Sequence, residues 1–511
     1  MTPNGGGARL MVGFHGTRVS DDLLRVLDAT GARSVILFAR NIESAAQASD
    51  LIGELRQRAD RPLLLAVDQE GGAVVRIARG ATVFPGNMAL GAAGSVELAE
   101  SQGYESGRQL AALGFDLNLA PVVDLQTNPA NPGIGIRSLG ADLERAAPLA
   151  AALVRGHARG GVGSCLKHFP GKGAAAVDAH RALPVLNLAL EEFRHPHLAI
   201  FERVIAESDP AAVMTSHVIV RGLDPDLPAT FSRRAVTGLL REELRFRGLV
   251  ICDDLEMGAV VEHWGVADAA ERALAAGHDL VPICHTSERQ LEAARHLDVA
   301  LQSGRLDPRE HADALARIEA ASARGVAGSP VDPRPGDAVA RWIADRAVHV
   351  FGDAGGLLPL ATDQRLTVLA FRPRSIVGVE EASAGQWELA VERAFRAAGF
   401  TRPEVLGLEL DAEGDPLPPA GETAERVVLL TWDARGQQSV RKALAAACER
   451  YRGRLVVGHL RNPFDQALVP PDVTALTPFG YQRCQLEACA AVLAGSLTAR
   501  GAMPAPLTTD A

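Results

Sequence analysis

The chain has 511 residues, of which 47% are hydrophobic and 22% are charged, a composition typical of a folded globular protein. Its net charge of −10 at pH 7 argues against a nucleic-acid partner, which would require a basic surface. No apolar run reaches the length of about eighteen residues that a membrane span requires, so no span is expected.

Length and cysteine usage add two further expectations. A chain of 511 residues is too long for one ordinary core, so two domains are predicted. The N-terminus MTPNGGGARLMVGFHGTR lacks a basic start followed by an apolar core, so we predict no export signal. Six cysteines without CxxC pairing indicate neither a zinc site nor a disulfide framework. A cytoplasmic protein without a cofactor is therefore expected.

The first 300 residues repeat a short apolar run followed by a helical pattern. In the first of these patterns, Ser20 is placed to cap a helix that begins at SDDLLRVL. The apolar runs are continuous rather than alternating, which is typical of parallel strands covered on both faces. Eight such units predict an N-terminal (β/α)8 barrel of the TIM type, with an open doubly wound sheet as the alternative. The runs span residues 10–16, 34–40, 63–69, 116–121, 163–169, 212–218, 249–255 and 279–284.

The amino-acid composition of the sequence changes after residue 325. The stretch GVAGSPVDPRPGDA is rich in Pro and Gly and predicts a linker. Beyond it, RLTVLAF, RVVLLTW and RLVVGHL alternate with helical stretches, which indicates a second, smaller α/β sandwich domain. The predicted organisation is a barrel domain at 1–325, a linker at 326–340 and a C-terminal α/β domain at 341–511.

Polar side chains follow most of the predicted barrel strands. Barrel active sites form where the carboxyl ends of the strands meet, so we expect these side chains to converge. The alternative is that loops are polar everywhere and the groups do not meet. The strand-end residues are Asp68, Lys167, His168, His217, Asp253 and Asp254.

The loop CLKHFPGKGAAAVDAHRALP, residues 165–184, concentrates titratable groups among small residues. The chain has 52 basic residues but only three lysines, two of which, Lys167 and Lys172, lie here; the third is Lys442. An ammonium is a compact point charge where a guanidinium is a broad fork, so the pattern indicates a site for a small polar group, unless the placement is coincidental. The loop has too little apolar surface to order itself.

Two elements of this pattern predict catalysis. The Asp253 carboxylate, at the end of an apolar strand, can attack an electrophilic carbon, stabilise a cation or pair with arginine. His180 can donate and accept a proton near neutral pH, and Asp178 can hold its imidazole in one tautomer. A mobile loop suits a group that closes over a substrate and then releases the product.

These residues carry a family resemblance. The stretch KHFPGKGAAAVDAH resembles the loop of family 3 glycoside hydrolases of the β-N-acetylglucosaminidase branch. Further stretches that resemble this branch are VDQEGGAVVR at 67–76, NPGIGIRSLG at 131–140, VMTSHV at 213–218 and CDDLEMGA at 252–259. In the C-terminal part, HVFGDAGGLLPL, LRNPFD and AVLAGSLTARGAMP resemble the second domain of the two-domain members.

The resemblance implies a function and its residues. It implies a retaining exo-β-N-acetylhexosaminidase that releases terminal GlcNAc, with cell-wall turnover fragments as the expected source. Asp253 would be the nucleophile, His180 the general acid/base and Asp178 its dyad partner. The positions implied to bind the sugar are Asp68, Arg76, Arg137, Lys167 and His168.

Two positions depart from the pattern of the branch. Lys172 stands where histidine is frequent and adds a charge near the site. Ala179 stands where serine or threonine is usual, and it removes a hydroxyl that can fix the loop. Neither change touches Asp253, His180 or Asp178, so the predicted catalytic residues are retained.

Other functions remain open at this point. A phosphorylase would use phosphate in place of water, and a β-glucosidase would accept another sugar. A metal-dependent hydrolase would use histidines and aspartates of the barrel, but these lack HxH or HExxH spacing, so no metal is expected. A non-catalytic sugar-binding protein would retain the pocket alone. For single residues the alternatives are a turn cap for Asp68, ion pairs for Arg76 and Arg137, a core histidine for His217 and a helix-start carboxylate for Asp254.

Overall fold

A computed structural model of the chain describes residues 5–177, 182–322, 330–353, 356–375, 378, 380, 386–409, 417–418 and 424–508. Two large sheets organise these residues, one of eight strands and one of six. The eight-stranded sheet precedes the six-stranded sheet in the chain, as the predicted order of the two domains requires.

The eight-stranded sheet is a parallel ring. Its strands are β1 (Leu10–Val12), β2 (Ser34–Leu37), β3 (Leu64–Val67), β4 (Leu117–Asn118), β5 (Gly163–Phe169), β6 (Ala212–Thr215), β7 (Leu249–Cys252) and β8 (Val281–Ile283). From β1 to β7 each strand pairs in parallel with the next, and β8 pairs in parallel with β1. A parallel bridge between Ile251 and Leu280 joins β7 to the start of β8. The predicted barrel is confirmed, and the open-sheet alternative is wrong.

The apolar runs are continuous because each strand packs against one hydrophobic layer inside the ring and another outside it. Met11 and Leu64 belong to the cluster inside the ring. Their neighbours Leu10 and Leu65 belong to the cluster between the ring and its helices. Successive side chains of a strand point to opposite faces, and both faces are covered here, so the strands contain no alternating polar positions.

The helices of the barrel follow their strands. Ser20 caps the first helix, because its hydroxyl accepts a hydrogen bond from the Leu23 amide at 3.2 Å, as predicted. The α-helices up to residue 322 are Asp21–Thr30, Ala45–Arg58, Asn87–Ala93, Val96–Leu113, Leu143–Gly160, Leu190–Phe193, Ala199–Ser208, Gly258–Val261, Val266–Ala276, Ser287–Gln302 and Pro308–Ser322. Two π-helices span Arg194–Leu198 and Arg234–Glu243. Two short strands, Val185–Leu186 and Ile219–Val220, pair outside the ring.

The second sheet has five parallel strands and one antiparallel edge strand. Its strands are β9 (His349–Gly352), β10 (Leu366–Phe371), β11 (Pro403–Leu408), β12 (Arg426–Thr431), β13 (Leu455–His459) and β14 (Thr474–Thr477). Their order in the sheet is β9, β14, β13, β12, β10, β11, and β9 runs against β14. The helices Trp387–Ala397, Gln438–Arg450 and Arg483–Leu493 accompany this sheet. The prediction of a second α/β unit is therefore confirmed.

The helix Arg334–Ala347 joins the two parts of the chain. It packs against the barrel helices Asn87–Ala93 and Val96–Leu113 and also against Arg483–Leu493 of the second part. Part of the stretch predicted as a linker, 326–340, is therefore helical. The domain boundaries themselves stay a prediction.

Hydrogen bonds also hold the second part close to the barrel loops. The Gln482 side chain donates a hydrogen bond from Nε2 to the Gly72 carbonyl at 2.6 Å. The Ala141 amide donates to the Pro504 carbonyl at 3.0 Å. At Gly140, where φ is +138°, an added Cβ would lie 2.5 Å from that same Pro504 oxygen, so a glycine is required there.

Two further observations concern the described residues. None of their helices combines the length and the apolar character that crossing a membrane requires. All six cysteines are free thiols, and five of them are buried.

Candidate active site

A cavity of about 440 Å³ opens at the mouth of the barrel, where the strands reach their carboxyl ends. The predicted sugar-binding residues and Asp253 all line it. Its charged and titratable lining residues are Arg40, Asp68, Arg76, Arg137, Lys167, His168, Lys172, Asp253, Asp254, Glu256 and His285. Gly378, from the segment that follows β10, lines it as well.

Four charged groups form a buried cluster, and three of them, Asp68, Lys167 and Arg137, line one wall of this cavity. The Lys167 ammonium lies 2.7 Å from Asp68 Oδ1 and 2.6 Å from Glu70 Oε1. Arg137 makes a bidentate contact with Glu70, with Nε donating at 2.9 Å and Nη2 at 2.8 Å. The cluster joins the segments after β3 and β4 to strand β5 itself, so it fixes three neighbouring parts of the barrel relative to one another.

The charges in this cluster reinforce each other's ionised forms. Burial acts to raise the pKa of Glu70, but Arg137 and Lys167 outweigh it and lower that pKa to about 2. Burial acts to lower the pKa of Lys167, but Asp68 and Glu70 outweigh it and raise that pKa. Burial acts to lower the pKa of Arg137, but the carboxylate of Glu70 outweighs it and raises that pKa. Glu70, Lys167 and Arg137 therefore keep their charges at neutral pH, and the two cations, which line the cavity, can hydrogen-bond to sugar hydroxyls.

Arg76 reaches the same wall because Gln69 folds the chain back on itself. The Gln69 side-chain oxygen accepts hydrogen bonds from the Arg76 amide at 2.8 Å and the Ile77 amide at 3.1 Å. Asn118 in turn binds the Gln69 peptide on both sides, with its oxygen accepting at 3.0 Å and its amide donating at 3.1 Å. The Arg76 guanidinium then lies 3.8 Å from the Asp68 carboxylate.

His168 is oriented by Asp124, a buried carboxylate. Asp124 Oδ2 lies 2.7 Å from His168 Nδ1 and also accepts the His168 amide at 3.0 Å. The other oxygen, Oδ1, accepts the Lys172 amide at 2.6 Å. Burial raises the pKa of Asp124, and the charge of Lys172 opposes that rise. With Nδ1 facing Asp124, the imidazole presents its Nε2 edge to the cavity.

Asp253 follows β7 and lies opposite the buried cluster. Its amide donates to the Thr215 carbonyl at the end of β6, at 2.9 Å. Its Oδ1 accepts the Asp254 amide at 3.0 Å, and its Oδ2 lies 3.6 Å from Lys172 Nζ. The side chain of Asp253 is 18% exposed, so the carboxylate is held by protein groups and still open to the cavity.

The loop after β5 takes its order from the loop after β4. Asn131 donates hydrogen bonds to the carbonyls of Lys172 at 2.8 Å and Gly173 at 3.2 Å. Asn128 makes two longer contacts with the carbonyls of residues 174–175. An added Cβ at Gly173 would lie 1.8 Å from the Leu125 carbonyl oxygen, which requires a glycine. This supplies the anchor that the small residues of the loop cannot supply themselves.

The far end of the loop is also anchored. Val185 pairs with Ile219, and the Ile219 amide donates to the Pro184 carbonyl at 3.0 Å. The residues predicted to form the acid/base dyad, Asp178 and His180, lie outside the described residues, as does Ala179. Their roles stay predictions.

His217 does not reach the cavity. Its Nδ1 lies 2.8 Å from the Thr230 hydroxyl, and its Nε2 lies 3.0 Å from the Asp254 carbonyl. Burial lowers its pKa, so it is a neutral core histidine. Asp254 does not start a helix; its Oδ1 accepts the Glu256 amide at 3.2 Å and its Oδ2 lies 3.1 Å from His285.

Five charged or titratable residues at the site were not predicted: Arg40, Glu70, Asp124, Glu256 and His285. Glu70 lies two residues after Asp68 in DQEGG, so its proximity to Asp68 was a usable signal. Asp124 lies six residues beyond β4 and was hidden by the irregular backbone of that segment. Glu256 accepts the amides of residues 285–286 at 2.5 and 3.2 Å, a role that no spacing in the sequence indicates. Among the described residues, no group of three His, Cys, Asp or Glu side chains is arranged to hold a metal ion.

The sequence is similar to that of a known protein family and of its members. Residues 8–321 match the model of the glycosyl hydrolase family 3 N-terminal domain. A β-hexosaminidase of Pseudomonas aeruginosa is 40% identical over 295 residues, which cover 57% of this chain and 87% of that protein.

Two solved structures resemble the whole chain. The glycoside hydrolase family 3 β-N-acetylglucosaminidase from Paenibacillus sp. str. FPU-7 has a TM-score of 0.93 and 32% identity, with 100% of both chains covered. The β-glucoside phosphorylase BglX has a TM-score of 0.83 and 20% identity, covering 100% of this chain and 95% of its own. The second likeness concerns the fold alone.

Proposed function

The chain belongs to glycosyl hydrolase family 3, and from that premise we propose that it is a retaining exo-β-N-acetylhexosaminidase that hydrolyses terminal β-linked GlcNAc. The β-hexosaminidase relative aligns over most of its own length, and the Paenibacillus β-N-acetylglucosaminidase over both domains. Cell-wall turnover fragments are the natural substrates we propose.

The observation that carries the proposal is the convergence of two unlike surfaces on one cavity. Asp253 offers a carboxylate on one side, and Asp68, Lys167 and Arg137, held together by the buried Glu70, offer hydrogen-bonding groups on the other. A cavity of about 440 Å³ falls in the range of small-molecule pockets rather than of open polysaccharide grooves. That shape supports binding of a terminal sugar and hence an exo-acting enzyme.

In the proposed first step, Asp253 attacks the anomeric carbon while the bond to the glycosidic oxygen breaks. His180 gives its proton to that oxygen, so the aglycone leaves as an alcohol, and Asp178 stabilises the imidazole. The product of this step is a glycosyl ester of Asp253. In the second step, water attacks the same carbon, His180 takes a proton from the water, and the Asp253 carboxylate is released.

The roles proposed for the buried wall follow from its hydrogen-bonding capacity. Asp68 is an acceptor, whereas Lys167, Arg76 and Arg137 are donors, so together they can bind vicinal hydroxyls in both senses. His168, oriented by Asp124, adds a ring nitrogen. Charge-assisted hydrogen bonds of this kind are about twice as strong as neutral ones, and they fix the sugar relative to Asp253.

The test is an assay of p-nitrophenyl N-acetyl-β-glucosaminide with the configuration of the first product followed by proton NMR. We expect β-GlcNAc to appear before mutarotation and the matched p-nitrophenyl β-glucoside to react far more slowly. Inversion would contradict the covalent mechanism. Faster cleavage of the glucoside would favour a β-glucosidase, and binding without turnover a sugar-binding protein.

Phosphorolysis is the second candidate, because Lys172 adds a cation next to Asp253 where an incoming anion would have to approach. Reactions run with and without inorganic phosphate separate the two functions. We expect the rate to be independent of phosphate and the product to be free GlcNAc. Formation of GlcNAc-1-phosphate as the main product would identify a phosphorylase instead.

A further inference from the structure

Lys172 occupies a position that the proposed mechanism does not yet use. Its Nζ lies 3.6 Å from Asp253 Oδ2, and its side chain is only 9% exposed. It lines the same cavity as the sugar-binding residues. The ammonium is therefore an ion-pair partner of the reacting carboxylate inside the site, and not a solvated surface charge.

The backbone of Lys172 is fixed on both sides. Its amide donates to Asp124 at 2.6 Å, and its carbonyl accepts from Asn131 at 2.8 Å. The next residue, Gly173, lies too close to the Leu125 carbonyl to accept a side chain. Because the backbone is held in this way, the side chain starts from a fixed point, and from there its ammonium lies 3.6 Å from Asp253 Oδ2.

The choice of lysine is informative in a chain that otherwise uses arginine. Lys167 and Lys172 are two of its three lysines, and both ammonium groups contact carboxylates in one cavity. An ammonium concentrates its charge on one atom, whereas a guanidinium spreads it over a plane. A point charge can act on a single carboxylate oxygen without displacing the sugar.

We propose that Lys172 is a catalytic residue of the second chemical step, in which it stabilises the Asp253 carboxylate as the glycosyl ester breaks. This inference rests on the proposed role of Asp253 as nucleophile. In that step the oxygen of water bonds to the anomeric carbon, and a proton of the water passes to His180. The bond between that carbon and Asp253 breaks, and its electron pair returns to the carboxylate. The ammonium attracts this returning negative charge.

The same interaction disfavours the ester intermediate. When Asp253 becomes an ester it loses its negative charge, and Lys172 loses its counter-ion. The intermediate is therefore destabilised relative to the free enzyme, which favours its breakdown over its formation. Without the ammonium, the ester should accumulate.

The experiment compares Lys172→Met and Lys172→Gln with the wild type, using 2,4-dinitrophenyl N-acetyl-β-glucosaminide in stopped flow. This leaving group departs without protonation, so ester breakdown limits turnover. We expect kcat to fall by about tenfold or more while kcat/KM changes by less than about threefold, with a burst of dinitrophenol equal to the enzyme concentration. Lys172→Arg keeps the charge and should lose less of kcat than the Met and Gln variants, but its broader guanidinium should not restore the wild-type value.

Lys442→Met is the matched control, since it removes an exposed lysine from the second domain and should leave both parameters unchanged. An equal fall in kcat and kcat/KM without a burst, in folded Met and Gln variants, would overturn the role of Lys172. Trapping the wild-type enzyme with a 2-fluoro glycoside distinguishes failure of the Lys172 inference from failure of the proposed nucleophile. Label on Asp253 without a variant burst rejects only the Lys172 inference, whereas label elsewhere rejects the proposed nucleophile.

Discussion

Glu70 in the barrel and Asp465 in the second domain are both buried carboxylates beyond the carboxyl ends of parallel strands, yet their pKa values move in opposite directions. Burial, which acts to raise both, is outweighed at Glu70 by Arg137 and Lys167, and its pKa falls to about 2. At Asp465, burial and the neighbouring Asp433 act together, and its pKa rises to about 7. Two cations keep one carboxylate ionised, whereas a second carboxylate favours protonation of the other.

The two clusters also differ in what they face. In the barrel cluster, Asp68, Lys167 and Arg137 line a cavity, so these side chains remain available to a ligand. In the second domain, Arg461 contacts Glu380 at 2.7 Å and Asp433 at 3.9 Å, and all three side chains are almost fully buried. Charged groups at strand ends therefore indicate a site only where they surround a cavity, and elsewhere they join segments of the chain.

The largest effect should come from Glu70→Gln. This isosteric change removes the charge that holds Lys167 and Arg137, so the sugar-binding groups should move and leave a buried excess of positive charge. A displacement of about 1 Å at such a site can reduce the rate about a hundredfold, and we expect kcat/KM to fall by roughly that factor.

The control for Glu70→Gln is Glu243→Gln, which breaks the half-exposed ion pair with Arg194. That variant should keep the wild-type kcat/KM, because exposed pairs contribute little. If Glu70→Gln also retained full activity, the barrel cluster would only join segments of the chain, as the second-domain cluster does, and would have no role in binding the sugar.

The second effect concerns stability. Arg461→Met removes one partner of a buried ion pair and should lower the free energy of unfolding by about 3 kcal/mol or more in urea titrations. Turnover of p-nitrophenyl N-acetyl-β-glucosaminide at low temperature should stay within about threefold of wild type, because the cluster does not bind substrate.

The control here is Arg483→Met, at a side chain that is 91% exposed and pairs with Glu487. It should change stability by less than about 0.5 kcal/mol. A large loss of kcat in Arg461→Met without a loss of stability would show that the second cluster belongs to the active site after all.

The third effect is a dependence of stability on pH. Asp465 has a folded pKa of about 7, above its unfolded value of 3.8, so the folded state binds the extra proton between these values. Its contribution to the free energy of unfolding should therefore be greatest at acidic pH and fall as pH rises toward 7. Asp465→Asn should remove this fall and be relatively more stable than wild type at pH 8 than at pH 5.5.

Urea titrations of both proteins at the two pH values measure this difference directly. Since the other titrating groups are shared, the change in the difference reports on Asp465. A constant difference between wild type and variant would mean that Asp465 titrates normally, and the contrast with Glu70 would then disappear.

The smallest effect compares two asparagines. Asn131→Ala loosens the loop that carries Lys172, and we expect kcat to fall by about tenfold or less with little change in stability. Asn462→Ala removes a hydrogen bond of 2.7 Å to Asp433 and a contact with the Phe464 amide, so it should lower stability by about 1 kcal/mol and leave kcat unchanged. A loss of stability in Asn131→Ala together with a loss of kcat in Asn462→Ala would contradict the view that the barrel carries the active site and the second-domain cluster serves stability.

The barrel was predictable because its strands are apolar on both faces. Runs such as SVILFAR and LVICDDL contain four-residue strands in which every residue is buried, and a polar residue within three positions of the strand end marks the rim. The convergence of Asp68, Lys167 and Asp253 followed from that geometry. His217, also at a strand end, points into the core, because Thr230 and the Asp254 carbonyl bind both of its nitrogens.

The partners of the site residues were harder to predict. Asp124 and Asn131 act through hydrogen bonds to the backbone of another loop, and no spacing in the sequence encodes which carbonyl or amide they meet. The resemblance of the loop motif to a known family supplied the roles of His180 and Asp178. Those two residues lie outside the described part of the chain, so their roles stay predictions.

The most direct test of the proposed mechanism is to identify the residue that becomes covalently attached to the sugar. The wild-type enzyme would be incubated with a 2-fluoro glycoside bearing an activated leaving group, digested and mapped by mass spectrometry. We predict one label per chain, on the peptide that contains ICDDLEMGA and specifically on Asp253, with none in Asp253→Asn. Label on Asp254 or on a peptide away from the barrel mouth would contradict the assignment of the nucleophile.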